Sequence, residues 1–197
     1  MHLSLKKTKK VYDASWEFEE LYRERGFVKI AGIDEAGRGP LAGPVVAAAV
    51  ILDMKIFIPG IKDSKKLSEK KRNHIYLEIM EKALSVGVGI VDEETIDLIN
   101  IKNATHLAMK KAVCDLKINP DFLLIDAEKL RDVNIPQCSI IKGDSKSFSI
   151  AAASIVAKVE RDRIITSYES VYPGYGFARH KGYGTKEHFE SIRKYGL

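Results

Sequence analysis

A chain of 197 residues, 45% of them hydrophobic, is long enough for one well-buried core and too short for two comparable domains. The formal charge of +5 modestly favours a polyanionic partner, and two cysteines without metal-ligand spacing argue against a disulfide framework and for a reduced compartment. No run approaches the roughly 20 apolar residues of a membrane span, so we expect a cytoplasmic protein that does not enter a membrane.

The first half of the chain is predicted to contain three strands and four helices. Residues 1–12 are predicted to form a mobile basic arm, and residues 13–197 a single domain. Hydrophobic spacing predicts a helix over 16–25, strands over 27–33 and 45–52, a helix from a cap at Ser68 to about residue 84, and a strand over 86–91. A short acidic helix over 92–100 and a longer helix from residue 101 follow, before Asn119 and Pro120.

The second half continues with strands and helices in alternation. Strands are predicted over 122–126 and 138–142, a long helix over 147–171, an irregular glycine-rich segment over 172–184, and a last helix capped by Thr185. Strands that first come as a group and then alternate with helices predict an α/β domain with a mixed sheet flanked by helices.

Acidic residues follow three of the predicted strands. Asp34 and Glu35 come after the first, Asp126 ends the strand over 122–126, and Asp144 follows the strand over 138–142. Buried carboxylates are costly unless they are paired or bind a cation, and four of them without His or Cys favour Mg²⁺ or Mn²⁺ over zinc. Two such ions roughly 4 Å apart support phosphodiester cleavage. Taken singly, each acid is better explained as a helix cap or a solvated strand end, and only the set of four favours a metal site.

A glycine-rich turn follows the first acidic pair. Gly37, Arg38 and Gly39 would let backbone N–H groups approach a sugar or a phosphate, with Arg38 adding charge. The segment lacks the glycine spacing and the Lys-Ser or Lys-Thr ending of a nucleotide-binding loop, so an ordinary turn remains an alternative.

Two further segments are candidates for nucleic-acid contact. Ser64 and Lys65 lie in a basic stretch that would suit duplex phosphates, although a solvated helix face explains it as well. His180, Lys181 and Tyr183 lie where aromatic and basic residues are interleaved, a composition typical of stacking on a base or sugar. His180 is interpreted as a phosphate neighbour or a structural hydrogen-bonding residue, since no second His lies at metal-ligand spacing.

Taken in order, these segments resemble bacterial ribonuclease HII. The match runs from about residue 27 to the end of the chain, and it is carried by residues 31–46, 63–65, 123–127, 142–147, 152–163 and 180–185. The resemblance implies a ribonuclease H-like fold with a central mixed five-stranded sheet. It also implies endonucleolytic cleavage of the RNA strand of RNA–DNA duplexes, including cleavage 5′ of single ribonucleotides embedded in duplex DNA, which leaves 3′-hydroxyl and 5′-phosphate ends.

The same resemblance implies roles for individual residues. It makes Asp34, Glu35, Asp126 and Asp144 the catalytic acids that bind two Mg²⁺ or Mn²⁺ ions. It makes the backbone at residues 37–39 the reader of the 2′-hydroxyl, the group that distinguishes RNA from DNA, and Tyr183 the sensor of the RNA-to-DNA junction. The full set of predicted substrate-binding residues is Gly37, Arg38, Gly39, Ser64, Lys65, Lys146, His180, Lys181 and Tyr183.

Two comparisons with the family refine the expectation. Arg38 stands where the sister ribonuclease HIII group typically has Thr, and no additional substrate domain precedes residue 27, so the HII type is favoured. Family members often continue past the last helix with a further duplex-gripping segment, whereas this chain stops at Leu197, being either a short member or incomplete. We expect a monomer whose partners are RNA–DNA hybrids and DNA duplexes with embedded ribonucleotides.

The sequence also allows two alternative functions. One is a basic nucleic-acid-binding module without catalysis, in which the acids only cap helices. The other is a nucleotide-binding α/β enzyme that uses the glycine turn as a phosphate cradle, and the missing Walker and dinucleotide fingerprints count against it.

Overall fold

One mixed five-stranded sheet forms the centre of the computed structural model, which describes residues 14–56, 58–61 and 67–196. Its strands are β1 (Ile30–Ala36), β2 (Val45–Ile51), β3 (Ser85–Val91), β4 (Phe122–Asp126) and β5 (Gln137–Ile140), in the spatial order β3-β2-β1-β4-β5. β1 pairs antiparallel with β2 and β2 with β3, whereas β4 is parallel to β1 and β5 to β4. The predicted α/β class and mixed five-stranded sheet are confirmed. The predicted basic arm lies outside the described residues.

The described residues form seven α-helices, and two of them follow the predicted caps Ser68 and Thr185. They are α1 (Glu17–Arg23), α2 (Glu69–Lys82), α3 (Glu93–Ile99), α4 (Ile101–Asp115), α5 (Phe148–Val171), α6 (Phe177–His180) and α7 (Lys186–Tyr195). The side chains of Ser68, Ser147 and Thr185 each accept a hydrogen bond from a backbone N–H in the first turn of α2, α5 and α7. No helix in the described ranges is long and apolar enough to cross a bilayer.

Several predicted boundaries were wrong. β1 spans Ile30–Ala36 rather than residues 27–33, so Asp34 and Glu35 lie within the strand and not after it. β5 ends at Ile140 rather than at residue 142, because Lys142 adopts a left-handed backbone conformation (φ 57°) and a 3₁₀ turn, Gly143–Ser145, follows at once. The segment over 172–184, predicted to be irregular, contains the single-turn helix α6, which begins after a left-handed Gly176 and ends before a left-handed Lys181.

Alternate residues of β1 face two different helical layers. Gly32 and Asp34 face α5, which covers one side of the sheet together with α2, whereas Ala31 and Ile33 belong to the core formed with α4 on the other side. A Cβ atom at Gly32 would lie only 2.1 Å from the backbone carbonyl carbon of Ser149. The absence of a side chain therefore allows the first turn of α5 to pack directly on β1, close to the acids.

Candidate active site

Two of the predicted acids are brought together by the register of two parallel strands. Ile33 of β1 pairs with Ile125 of β4, so the next residue of each strand, Asp34 and Asp126, lies at the same edge of the sheet. Neighbouring strands are about 4.8 Å apart, which places the two carboxylates within strong electrostatic reach of each other.

Asp34 is buried, with 5% of its surface exposed. Its Oδ1 accepts a hydrogen bond of 2.7 Å from the Glu35 backbone N–H, and the Ser154 hydroxyl on α5 hydrogen-bonds to the same carboxylate. Burial, followed by the negative charges of Glu35 and Asp126, raises the pKa of Asp34 well above its ordinary value. Two hydrogen bonds thus offset only part of the cost of this charge, and a cation would offset more.

Asp144 reaches the site on a turn rather than at a strand end, which corrects the predicted position. It lies in the 3₁₀ turn Gly143–Ser145 that leads into α5, and it is 8% exposed. The Gly143 N–H donates a 2.7 Å hydrogen bond to Oδ1 of Asp126, which attaches the turn to the end of β4. This backbone hydrogen bond therefore holds Asp144 beside Asp126.

Glu35 belongs to a chain of ionisable side chains that the sequence did not reveal. Burial raises the pKa of Glu35, and the Arg38 guanidinium opposes this rise. Nη1 of Arg38 lies 3.3 Å from Oε1 of Glu35 and 2.9 Å from Oε1 of Glu128, whose Oε2 lies 3.0 Å from Nε2 of His106. The only sequence signal for Glu128 was its position two residues after Asp126.

The donor set fits a divalent cation. Oε2 of Glu35 is buried and has no hydrogen-bond partner among the described residues, so one carboxylate oxygen is left without the compensation that buried polar atoms require. Carboxylates without His or Cys are the ligands that hard cations such as Mg²⁺ and Mn²⁺ prefer. Within the described ranges no three His, Cys, Asp or Glu side chains are already arranged to hold a metal ion.

The connection between β1 and β2, here called the glycine loop (residues 37–44), lies directly beside the acids. Gly37 has φ 116°, and a Cβ atom there would lie 2.4 Å from the Pro44 carbonyl oxygen, so glycine is required on both counts. A Cβ atom at Gly39 would lie 3.9 Å from Cε1 of Tyr183. The structure thus brings together the predicted 2′-hydroxyl reader and the predicted junction sensor.

Backbone hydrogen bonds join the glycine loop to the segment here called the Tyr183 loop (residues 181–184). The N–H groups of Leu41 and Ala42 donate to the Gly182 carbonyl at 2.9 and 3.3 Å. Nζ of Lys158 lies 5.4 Å from the centre of the Tyr183 ring, whose face it covers on the α5 side. Tyr183 itself is 43% exposed and remains accessible from solvent.

His180 lies beneath this loop and its ring nitrogens are both engaged. Its Nδ1 accepts from the Gly182 N–H at 3.2 Å, and its Nε2 lies 2.7 Å from the Tyr175 carbonyl oxygen. The ring stacks on His188 with centroids 4.3 Å apart. Of the two interpretations of His180, the geometry favours a structural hydrogen-bonding residue that holds the Tyr183 loop.

Two of the remaining predicted substrate contacts, Lys181 and Lys146, lie in the described part of the chain. Nζ of Lys181 donates a 2.6 Å hydrogen bond to the Thr166 hydroxyl of α5. Lys146 follows the turn that carries Asp144 and is partly exposed. Ser64 and Lys65 lie outside the described residues.

Arg161 of α5 is a second residue that sequence reasoning did not assign to the site. It is fully buried, and its guanidinium hydrogen-bonds to backbone carbonyls of the glycine loop and the Tyr183 loop. The available signal was a basic residue that follows a long apolar stretch of helix.

The chain is similar to several known proteins. The family model described as ribonuclease HII matches residues 31–197. Ribonuclease HII of Acetivibrio thermocellus is 63% identical over 180 residues, which cover 91% of this chain and 70% of that protein. The Clostridioides difficile ribonuclease HII is 58% identical over 180 residues, covering 91% and 71%. The crystal structure of ribonuclease H2 from Pyrococcus horikoshii matches with a TM-score of 0.73 and 27% identity, covering 86% of this chain and 90% of that one.

Proposed function

Since this chain belongs to the ribonuclease HII family, we propose that it cleaves the RNA strand of RNA–DNA duplexes and also cuts 5′ of a single ribonucleotide embedded in duplex DNA. Membership makes it a metal-dependent endoribonuclease H. The observation that carries the finer proposal is the position of the glycine loop. It begins at the residue after β1, the strand that holds Asp34 and Glu35, and it contacts the Tyr183 loop.

Four acids would hold the metal: Asp34, Glu35, Asp126 and Asp144. We propose two Mg²⁺ or Mn²⁺ ions, which when bound would activate the attacking water and stabilise the leaving 3′-oxygen. The unpartnered Oε2 of Glu35 and the all-carboxylate donor set support this. Arg38 already partly neutralises Glu35, and Glu128 holds Arg38 from its other side.

Selection for RNA would come from the backbone of the glycine loop. Gly39 carries no side chain and is exposed, so its peptide groups are open to a sugar lying against the neighbouring Tyr183 ring. The 2′-hydroxyl both donates and accepts hydrogen bonds. A backbone N–H or C=O that bonds to it would be left without a partner when a deoxyribose occupies the same place. The 2′-hydroxyl would then be recognised at the end of β1, the strand that carries Asp34 and Glu35.

A duplex with one ribonucleotide in otherwise all-DNA strands tests the proposal. In Mg²⁺ or Mn²⁺ we expect a single nick 5′ of the ribonucleotide, with a 3′-hydroxyl that a DNA polymerase extends. EDTA should abolish the nick, and an all-DNA duplex of the same sequence should stay intact. A uniform RNA–DNA hybrid serves as the positive substrate. Cleavage of the hybrid without a nick in the embedded substrate would refute the finer proposal.

Replacing Tyr183 separates recognition from packing. Tyr183→Ala should lower cleavage at the single ribonucleotide about tenfold, in line with the roughly 1–3 kcal/mol that an aromatic platform contributes per stacked residue. The loss within a long RNA stretch should be smaller, because other registers of the hybrid remain available. Tyr183→Phe keeps the ring and serves as the matched variant. Equal losses on the two substrates would show that Tyr183 only packs.

A further inference from the structure

Arg161 connects two separate segments of the chain through three backbone carbonyls. Its Nε donates to the carbonyl of Pro44 at 3.0 Å, and its Nη2 to that of Ala42 at 2.9 Å. Its Nη1 donates to the carbonyl of Lys181 at 3.0 Å. Two of these acceptors belong to the glycine loop and the third to the Tyr183 loop. One planar guanidinium therefore fixes the distance between the two loops.

The fit around the guanidinium is close. A Cβ atom at Gly37 would lie 2.8 Å from Nε of Arg161, and one at Gly182 would lie 2.3 Å from the Ala42 carbonyl oxygen. Arg161 is 0% exposed. The glycine loop therefore rests on this side chain at its first residue as well as at its last.

A buried arginine is a costly way to fill space. Its charge is removed from water, and none of its hydrogen bonds with the described residues is to a carboxylate. Three carbonyl dipoles and the nearby negative charges of Asp162 and Glu93 offset the desolvation. An apolar side chain of similar length would fill the same volume without that cost. What it would lack is a rigid set of directional donors, which only a guanidinium supplies.

We propose that Arg161 is a positioning residue that sets the distance between the glycine loop and Tyr183, so that both contact the same ribonucleotide. The inference rests on the proposed reading of the 2′-hydroxyl by these two segments. Arg161 acts through their backbone and not on the reacting atoms. Its removal therefore affects the choice of substrate more than the binding of metal.

Two variants and one control isolate this role. Arg161→Lys keeps the charge but cannot span three carbonyls, and Arg161→Met keeps much of the length but has no donor. Met109→Ala is the control, because Met109 is fully buried in α4 on the opposite face of the sheet and its truncation lowers stability without touching either loop. All measurements are made well below the Tm of the least stable variant.

Hydrogen exchange gives a readout that does not depend on activity. The amides of Leu41 and Ala42, which donate to Gly182, should exchange at least about tenfold faster in both Arg161 variants, while the amides of β1 and β2 keep their protection. Met109→Ala should leave the amides of Leu41 and Ala42 protected relative to the rest of the chain. Unchanged exchange in Arg161→Lys would overturn the inference and leave the proposed function intact.

Cleavage supplies the second readout. In both Arg161 variants the rate on the embedded ribonucleotide, divided by the rate on the uniform hybrid, should fall about tenfold, while Mn²⁺ affinity measured by calorimetry stays the same. Met109→Ala should leave this ratio unchanged. Equal losses on both substrates that follow the Tm would show that Arg161 only stabilises the fold and would overturn the inference. A wild-type protein that cuts neither substrate would instead refute the proposed function, whatever the exchange result.

Discussion

Asp34→Asn is expected to remove cleavage almost completely and to make the metal-free protein more stable. Asparagine keeps an oxygen that can accept the hydrogen bond from the Glu35 N–H, so local geometry is retained. Losing one anionic metal ligand should cost about a thousandfold in rate, equivalent to roughly 4 kcal/mol of transition-state stabilisation. The rate is measured on a uniform RNA–DNA hybrid in saturating Mg²⁺.

The gain in stability has a separate cause. Asp34 is buried beside Glu35 and Asp126, so a neutral side chain removes both a desolvation cost and a repulsion. In urea unfolding with EDTA present, we expect the free energy of unfolding to rise by about 1 kcal/mol, a typical gain when a destabilising functional residue is replaced. Asp97→Asn, an exposed residue of α3, is the control and should change neither quantity.

The same variant discriminates between the enzyme and a non-catalytic nucleic-acid-binding module. In such a module the acids would only cap helices, and Asp34→Asn would leave duplex binding and stability unchanged. Asp34 lies within β1 and caps no helix. Loss of cleavage with duplex binding retained is the outcome expected here, and loss of binding together with cleavage would contradict it.

Much of the fold could be predicted because its signals are local. The apolar run that became β2 is buried along its whole length. The helices α2, α5 and α7 follow directly on Ser68, Ser147 and Thr185, whose side chains each accept from the amide three residues further on. Such features depend on residues a few positions apart. The predicted boundaries failed where a distant contact decides the backbone, as at Lys142, after which the Gly143 N–H is bonded to Asp126.

The candidate site could be predicted only in part for the same reason. Four acids at or just beyond the ends of predicted strands were visible in the sequence, and the parallel pairing of β1 with β4 places Asp34 and Asp126 at one edge. Arg161 could not be found this way, since its carbonyl acceptors at Ala42 and Pro44 are 119 and 117 residues away and any residue supplies a carbonyl. When a side chain bonds only to backbone carbonyls, the residues that supply those carbonyls can be of any type, so the sequence shows no pattern there.

Gly32→Ala is expected to be among the most destabilising small substitutions in the chain, at about 3 kcal/mol or more in urea unfolding. The new methyl group would lie 2.1 Å from the carbonyl carbon of Ser149 and 2.3 Å from the amide nitrogen of Ile150. Both are backbone atoms at the start of α5, so no rotamer change can relieve the overlap. Gly26→Ala is the matched control: Gly26 has φ 95° and no atom within 4 Å of its added Cβ, so only about 1 kcal/mol of backbone strain is expected.

The displacement caused by Gly32→Ala should also reach the acids. The first turn of α5 has to move away from β1, and this helix carries Ser154, which hydrogen-bonds to Asp34, and follows directly on the turn that holds Asp144. Weaker Mn²⁺ binding by calorimetry is therefore expected in the folded fraction of Gly32→Ala and not in Gly26→Ala. Unfolding at the same urea concentration and equal Mn²⁺ binding in the two variants would contradict the claim that close packing of α5 on β1 positions the acids.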